Sequence, residues 1–140
     1  MAIVYFDSSA LVKLVVDEDG SDVAAAVWDA ADAAVSSRLA YPEVRAALAA
    51  AERSRRLRPA QMRQAEAGLA DFWGAIRPVE LSEPVADRAG ELASQHGLRG
   101  ADAVHLASLS AVGIDEVLFA VWDERLRLAA ASLGARVVPA

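Results

Sequence analysis

Short apolar runs alternate with Ala- and Leu-rich helical stretches along the whole chain, and no other feature narrows the available folds as much. Strand patterns fall at about residues 3–6, 33–36, 77–80, 116–121 and 136–138. Between them, Ser8 is a good N-cap for a helix through Leu11, Leu14 and Val15, and Gly20 bounds a second from Ser21 to about Ala31. A third runs from about Ala40 to Arg56, and Pro59 opens a fourth at a first-turn position. A fifth, from Pro84 to His96, ends at Gly97, and two more at about 102–112 and 124–133 are followed by Gly113 and Gly134. Such alternation predicts one α/β domain over residues 1–140, a three-layer sandwich. Its centre is a mostly parallel sheet of about five strands with helices on both faces. The two consecutive helices before the third strand predict a projecting helical hairpin.

Four carboxylates stand where strand and helix exchange. Asp7 follows Ile3-Val4-Tyr5-Phe6, and Glu43 lies near the start of the third helix. Asp102 opens the helix at Gly100-Ala101-Asp102-Ala103-Val104, and Asp123 follows the apolar run from Val117 to Trp122. Residues just beyond the carboxyl ends of parallel strands line the ligand crevice of an open sheet. Acidic groups gathered there repel one another unless a divalent cation lies among them. Four carboxylates, no cysteine and two histidines suit magnesium or manganese and suit zinc poorly. One or two direct carboxylates suffice for such an ion, with the others acting through water.

Each carboxylate also has a plainer reading. Asp7 and Asp123 serve equally well as helix caps, although Ser8 competes with Asp7 and would leave it facing the crevice. A helical Glu is usually just solvated, but Pro42 places Glu43 in a first turn, at a mouth and not on a flank. Asp102 shares one helical stripe with His105, Leu106 and Leu109, which is an unusual place for a surface acid.

With 140 residues, 55% of them hydrophobic, the chain is long enough for one sizeable core. No apolar run reaches membrane-spanning length, and the opening meets Asp7 without a basic region, so no membrane association and no signal peptide are expected. The absence of cysteine excludes disulfides, thiolate zinc sites and a cysteine nucleophile. A cytoplasmic location is expected. The net charge of −6 opposes nucleic-acid binding through bulk charge. Its distribution softens that objection, because Arg53, Arg55, Arg56, Arg58 and Arg63 fall within eleven residues.

These residues resemble the motifs of the PIN-domain family. IVYFDSSALVKL is similar to its first motif, a strand ending in Asp-x-Ser, with Asp7 and Ser9 at the matching positions. SSRLAYPEVRAAL resembles the second, with Glu43 as its acid, and LRGADAVHLASL the third and most specific, with Asp102. FAVWDERLRLAA resembles the fourth around Asp123, except that Val121 stands where members often carry Thr or Ser. The resemblance covers the whole chain and points to the VapC toxins of toxin–antitoxin pairs. It implies a PIN domain over residues 1–140 and a magnesium- or manganese-dependent endoribonuclease that hydrolyses RNA phosphodiesters through metal-activated water. Asp7, Glu43, Asp102 and Asp123 would form the catalytic set. Asp7, Asp102 and Asp123 would hold metal, Glu43 directly or through water, and Ser9 would support Asp7. A VapB-type antitoxin and a homodimer are the implied protein partners. The alternative is a catalytically silent PIN fold that binds RNA or protein.

Other features carry less. Asp102-x-x-His105 has ligand-like spacing, but a buried His satisfied by a neighbour is the simpler reading. The acidic stretch Asp17–Asp22 lacks the later Glu of a calcium loop and reads as a solvated turn. Arg53, Arg55 and Arg56 are candidate RNA or partner contacts, and equally a solvated surface. Trp122, adjoining Asp123, is the tryptophan placed to meet RNA. A receiver or haloacid-dehalogenase fold is disfavoured, since Asp7-Ser8-Ser9 is not Asp-x-Asp and the only lysine, Lys13, precedes every late strand.

Overall fold

The computed structural model describes residues 2–139. Among them, strands and helices follow in the order β1 (Ile3–Phe6), α1 (Ser8–Val15), α2 (Ser21–Ala30), β2 (Ala33–Ser37), α3 (Ala40–Arg53), α4 (Pro59–Ala75) and β3 (Ile76–Val79). The chain continues with α5 (Glu83–His96), α6 (Gly100–Val112), β4 (Val117–Ala120), α7 (Glu124–Ser132) and β5 (Arg136–Val138). At least one helix separates each strand from the next, so each returns in the same direction. The sheet is accordingly parallel in all four pairings, where a mostly parallel one was expected.

The strand order is β3-β2-β1-β4-β5. The chain winds outward from β1 to β3, then resumes on the other side of β1 with β4. The order therefore reverses at β1, and a crevice opens at the carboxyl ends of β1 and β4. Register brings Tyr5 beside both Val35 and Phe119, and Phe6 beside Ala120.

Alternation along the strands divides the core in two. Tyr5, Val35, Val117, Phe119 and Val121 pack under α5, α6 and α7 with Leu92, Leu106 and Leu126. Val4, Phe6, Ala34 and Ala120 pack under the opposite helices with Leu11, Leu48 and Leu69. Each fully buried Leu or Phe contributes on the order of 1.5–3 kcal/mol. The sheet is thus held from both faces and forms a rigid base for the residues at its end.

Two local expectations are corrected. The α3–α4 hairpin does not project, because Val44, Leu48, Met62, Ala65 and Leu69 bury it against Phe6 and Leu11. Helix α3 ends at Arg53, close to its expected end, where Arg55 turns left-handed (φ 64°) and the amides of Arg56 and Leu57 bond back to Ala51. The cap of α1 is Asp7 and not Ser8. Ser8 already has helical geometry, whereas Asp7 is extended (φ −76°, ψ 177°) and accepts from the Ala10 amide.

Candidate active site

Asp7 stands buried just beyond the carboxyl end of β1. Its amide bonds to the Ala120 carbonyl at 3.3 Å, and the Ser36 hydroxyl donates to the preceding carbonyl, Phe6, at 2.6 Å. Both neighbouring strands therefore pin the backbone at this point. Asp7 Oδ1 accepts from the Ser9 hydroxyl at 2.6 Å and the Ala10 amide at 2.9 Å. Among the described residues no donor reaches Oδ2. The side chain is only 3% exposed, and burial pushes its pKa up to about 6. The His105 charge and the bonds from Ser9 and Ala10 pull the other way, and Glu43 raises it further. Ser9 also accepts from the Trp122 amide at 3.3 Å, joining the start of α1 to the segment after β4. That segment turns Val121 into the core, so Ser9 supplies the hydroxyl next to the crevice.

Glu43 reaches the crevice from the first turn of α3, where Pro42 is tolerated because no intrahelical partner is lost. Its Oε1 lies 2.7 Å from His105 Nε2, and the His105 Nδ1 lies 2.8 Å from the Tyr5 hydroxyl. The His is thus buried and satisfied, as its position on the apolar stripe of α6 suggests. Tyr5 is fully buried from β1, and desolvation holds its phenol protonated well above the usual range. The Ser108 hydroxyl stands near that phenol and favours its ionised form, against the larger effect of burial, and among the described residues Ser108 Oγ makes no hydrogen bond.

Asp102 is half-buried in the first turn of α6, where the helix N-terminus favours a negative charge. Burial raises its pKa, Asp123 and Glu43 raise it further, and His105 and Arg99 oppose them. Asp123 is exposed and caps α7, its Oδ1 accepting from the Leu126 amide at 2.9 Å. Asp102 and Asp123 line one cavity of about 480 Å³ with Arg99, Glu124, Arg125 and Leu128.

The carboxylates form a ladder from the buried Asp7, through Glu43 and Asp102, to the exposed Asp123. Among the described residues no three acidic or histidine side chains converge closely enough to enclose an ion. The donor set still fits a hard cation that keeps several waters. Asp7, Glu43 and Asp123 each commit one oxygen to a protein donor, which orients the carboxylate and leaves the other oxygen for a ligand.

The remaining candidates lie to one side. Arg53, Arg55 and Arg56 are exposed at the turn between α3 and α4, and Arg56 donates to Ser54. Arg56 and Trp122 line a cavity of about 430 Å³ with Ser9, Lys13 and Leu57. Trp122 is half-buried and stands against Gly20, with the Lys13 ammonium 5.3 Å from its ring centre. Lys13 also bonds Glu18 and the Asp19 carbonyl, and Ser21 bonds Val16 and Glu18. The acidic loop is therefore tied to Lys13 and Ser21, while Asp17, Glu18, Asp19 and Asp22 stay exposed as a solvated turn. Tyr5 and Ser36, both essential to this geometry, carry no signal in sequence beyond their place in strands.

Comparison with known proteins places these features in a family. The PIN-domain profile matches residues 4–132. The chain is 58% identical over 140 residues to ribonuclease VapC49 of Mycobacterium tuberculosis, covering 100% of this chain and 97% of that one. Its fold is similar to the crystal structure of M. tuberculosis VapC20, a sarcin-ricin loop cleaving toxin. The TM-score is 0.69 at 17% identity, over 91% of this chain and 95% of that one. It is also similar to VapBC2 from Rickettsia felis, bound there to a promoter DNA fragment. In that case the TM-score is 0.65 at 12% identity, over 96% of each chain.

Proposed function

The chain belongs to the PIN-domain family, and on that premise we propose that it is the metal-dependent endoribonuclease toxin of a VapBC-type pair. Its whole-length likeness to a VapC ribonuclease supports the nuclease activity. One observation carries the metal reading: Asp7 is a buried carboxylate with one oxygen held by Ser9 and Ala10 and the other without a protein donor. A charge so placed is costly unless a cation compensates it.

Asp7, Asp102 and Asp123 are the residues to hold magnesium or manganese, with Glu43 acting directly or through water. A divalent ion bound there supplies positive charge to the scissile phosphate and lowers the pKa of water for attack. The protein's own work is placement. Ser9 and the Ala10 amide orient Asp7, the cap of α7 orients Asp123, and the N-terminus of α6 supports Asp102. Arg53, Arg55 and Arg56 offer cations to the RNA backbone, and Trp122 a ring edge beside Ser9.

The protein partner in this reading is a VapB-type antitoxin whose Arg or Lys enters the acidic crevice in place of the ion. A homodimer is the proposed resting unit. A groove of about 670 Å³ lined by Leu39, Tyr41, Pro42, Trp73 and the exposed Leu81 supports such an apolar contact. Among the described residues no helix is long and apolar enough to cross a membrane, and the pair is proposed to act in the cytoplasm.

The test is cleavage of RNA with manganese, with excess chelator, and by Asp7→Asn. Activity should require the ion and fall by at least two orders of magnitude in the variant. Full cleavage in chelator would remove the metal reading while leaving the ribonuclease in place.

A further inference from the structure

We propose that His105 is a positioning residue: anchored by Tyr5, it holds the Glu43 carboxylate at the crevice with one oxygen committed and the other presented to a cation. The inference rests on the metal-dependent reading above and assigns a role to a residue outside the four carboxylates.

The geometry is a continuous chain from the core to the mouth. Tyr5 comes from the central strand, is fully buried, and packs edge-on to His105 (ring centres 5.9 Å apart) and to Phe119 (5.4 Å). Its hydroxyl meets His105 Nδ1 at 2.8 Å, and His105 Nε2 meets Glu43 Oε1 at 2.7 Å. The direction of the second bond does not depend on the state of the ring. In a neutral imidazole the Tyr5 hydroxyl donates to Nδ1, so the proton resides on Nε2 and is donated to Glu43. In a protonated ring Nε2–H donates as well. His105 is 1% exposed while the Glu43 side chain is 26% exposed, so the immobile partner is the imidazole and the positioned one is the carboxylate.

Without that bond Glu43 would be a partly exposed side chain in a helical first turn, free to change rotamer. A hydrogen bond from a buried donor removes that freedom before any ligand arrives. Outer partners of this kind are worth about 10–100-fold in metal affinity or activity. A simple core role would need no contact with Glu43, and a direct ligand would need Nε2 free.

The experiment compares His105→Gln with His105→Asn. The Gln amide reaches about as far as Nε2 and can still donate to Glu43, whereas the Asn amide reaches only the Nδ1 position. Both bury a neutral amide in place of the ring, so their metal-free unfolding temperatures, measured in chelator, control for packing. Manganese affinity is read by calorimetric titration and RNA cleavage in parallel. The expected result is that the Gln variant binds manganese within about threefold of wild type and the Asn variant at least tenfold more weakly. Tyr5→Phe, which keeps the ring but removes its anchor, is the second variant and should weaken binding several-fold. Equal affinities in wild type, the Asn variant and Tyr5→Phe would overturn the positioning role, as would equal losses in Gln and Asn. A wild type that binds no manganese would instead overturn the metal reading beneath it.

Discussion

Asp7 combines two roles that usually exclude each other. It caps α1 through Oδ1, a role worth about 1 kcal/mol, and it retains an ionisable group where solvent hardly reaches. Its pKa of about 6, against 3.8 as the ordinary value, sets a pH dependence whose sign is fixed. Below about pH 4 the carboxyl is protonated whether the chain is folded or not, and nothing is lost. Between about 4 and 6 the unfolded chain ionises first, so metal-free stability falls as pH rises. Above that window the full penalty, about 3 kcal/mol, is present. Asp7→Asn keeps an oxygen for the cap and cannot ionise. In chelator it should therefore match wild type near pH 4 and exceed it by about 2–3 kcal/mol at pH 8. Denaturant unfolding at the two pH values measures this, and a difference that does not change with pH would show that Asp7 is not a buried charge.

At the scale of elements, helix beginnings do most of the positioning. Glu43, Asp102 and Asp123 enter the crevice from the first turn of α3, the first turn of α6 and the cap of α7. Asp123 is the case in which cap and site can be separated. Asp123→Ala removes the acceptor of the Leu126 amide and should cost about 1 kcal/mol, whereas Asp123→Asn preserves it at almost no cost. If Asp123 also serves the ion, both variants should lose RNA cleavage to similar extents. An Asn variant as active as wild type would reduce Asp123 to a cap. The same logic explains why the Asp102 stripe is informative: His105, Leu106 and Leu109 are buried along it, while Asp102 lies one turn nearer the mouth.

For the whole molecule the question is how a compact fold tolerates acids at one end of its sheet. The two halves of the core supply the stability, and burial of the Asp7 carboxylate offsets part of it. Binding to the folded state alone adds RT ln(1 + [L]/Kd), about 2.7 kcal/mol when manganese stands at 100 times its dissociation constant. Manganese should therefore raise the unfolding temperature of the wild type by several degrees, and that of Asp7→Asn or Asp102→Asn by clearly less. Equal shifts in all three proteins, followed by calorimetry, would place the ion elsewhere.

Much of this was legible in the sequence because local physics set it. Ile3–Phe6 and Val117–Ala120 are β-rich runs beside helices, so their existence and parallel arrangement follow from pattern and from the helix after each strand. The four acids were legible for the same reason, since each stands beside a strand end or a helix start. The cap of α1 was not: Asp7 and Ser8 are both good caps, and only the end of β1, pinned by Ala120 and Ser36, puts the extended backbone at Asp7. The Tyr5–His105–Glu43 chain was beyond local reading altogether. Its bonds join residues 100 and 62 positions apart, and no spacing rule along one element can encode them. The sequence by itself determined which elements form and which chemistry gathers at their ends. Only the tertiary structure decided that one oxygen of Glu43 is held by His105, because that bond depends on α3 and α6 meeting in the fold, whereas the bonds to Asp7 and Asp123 are local.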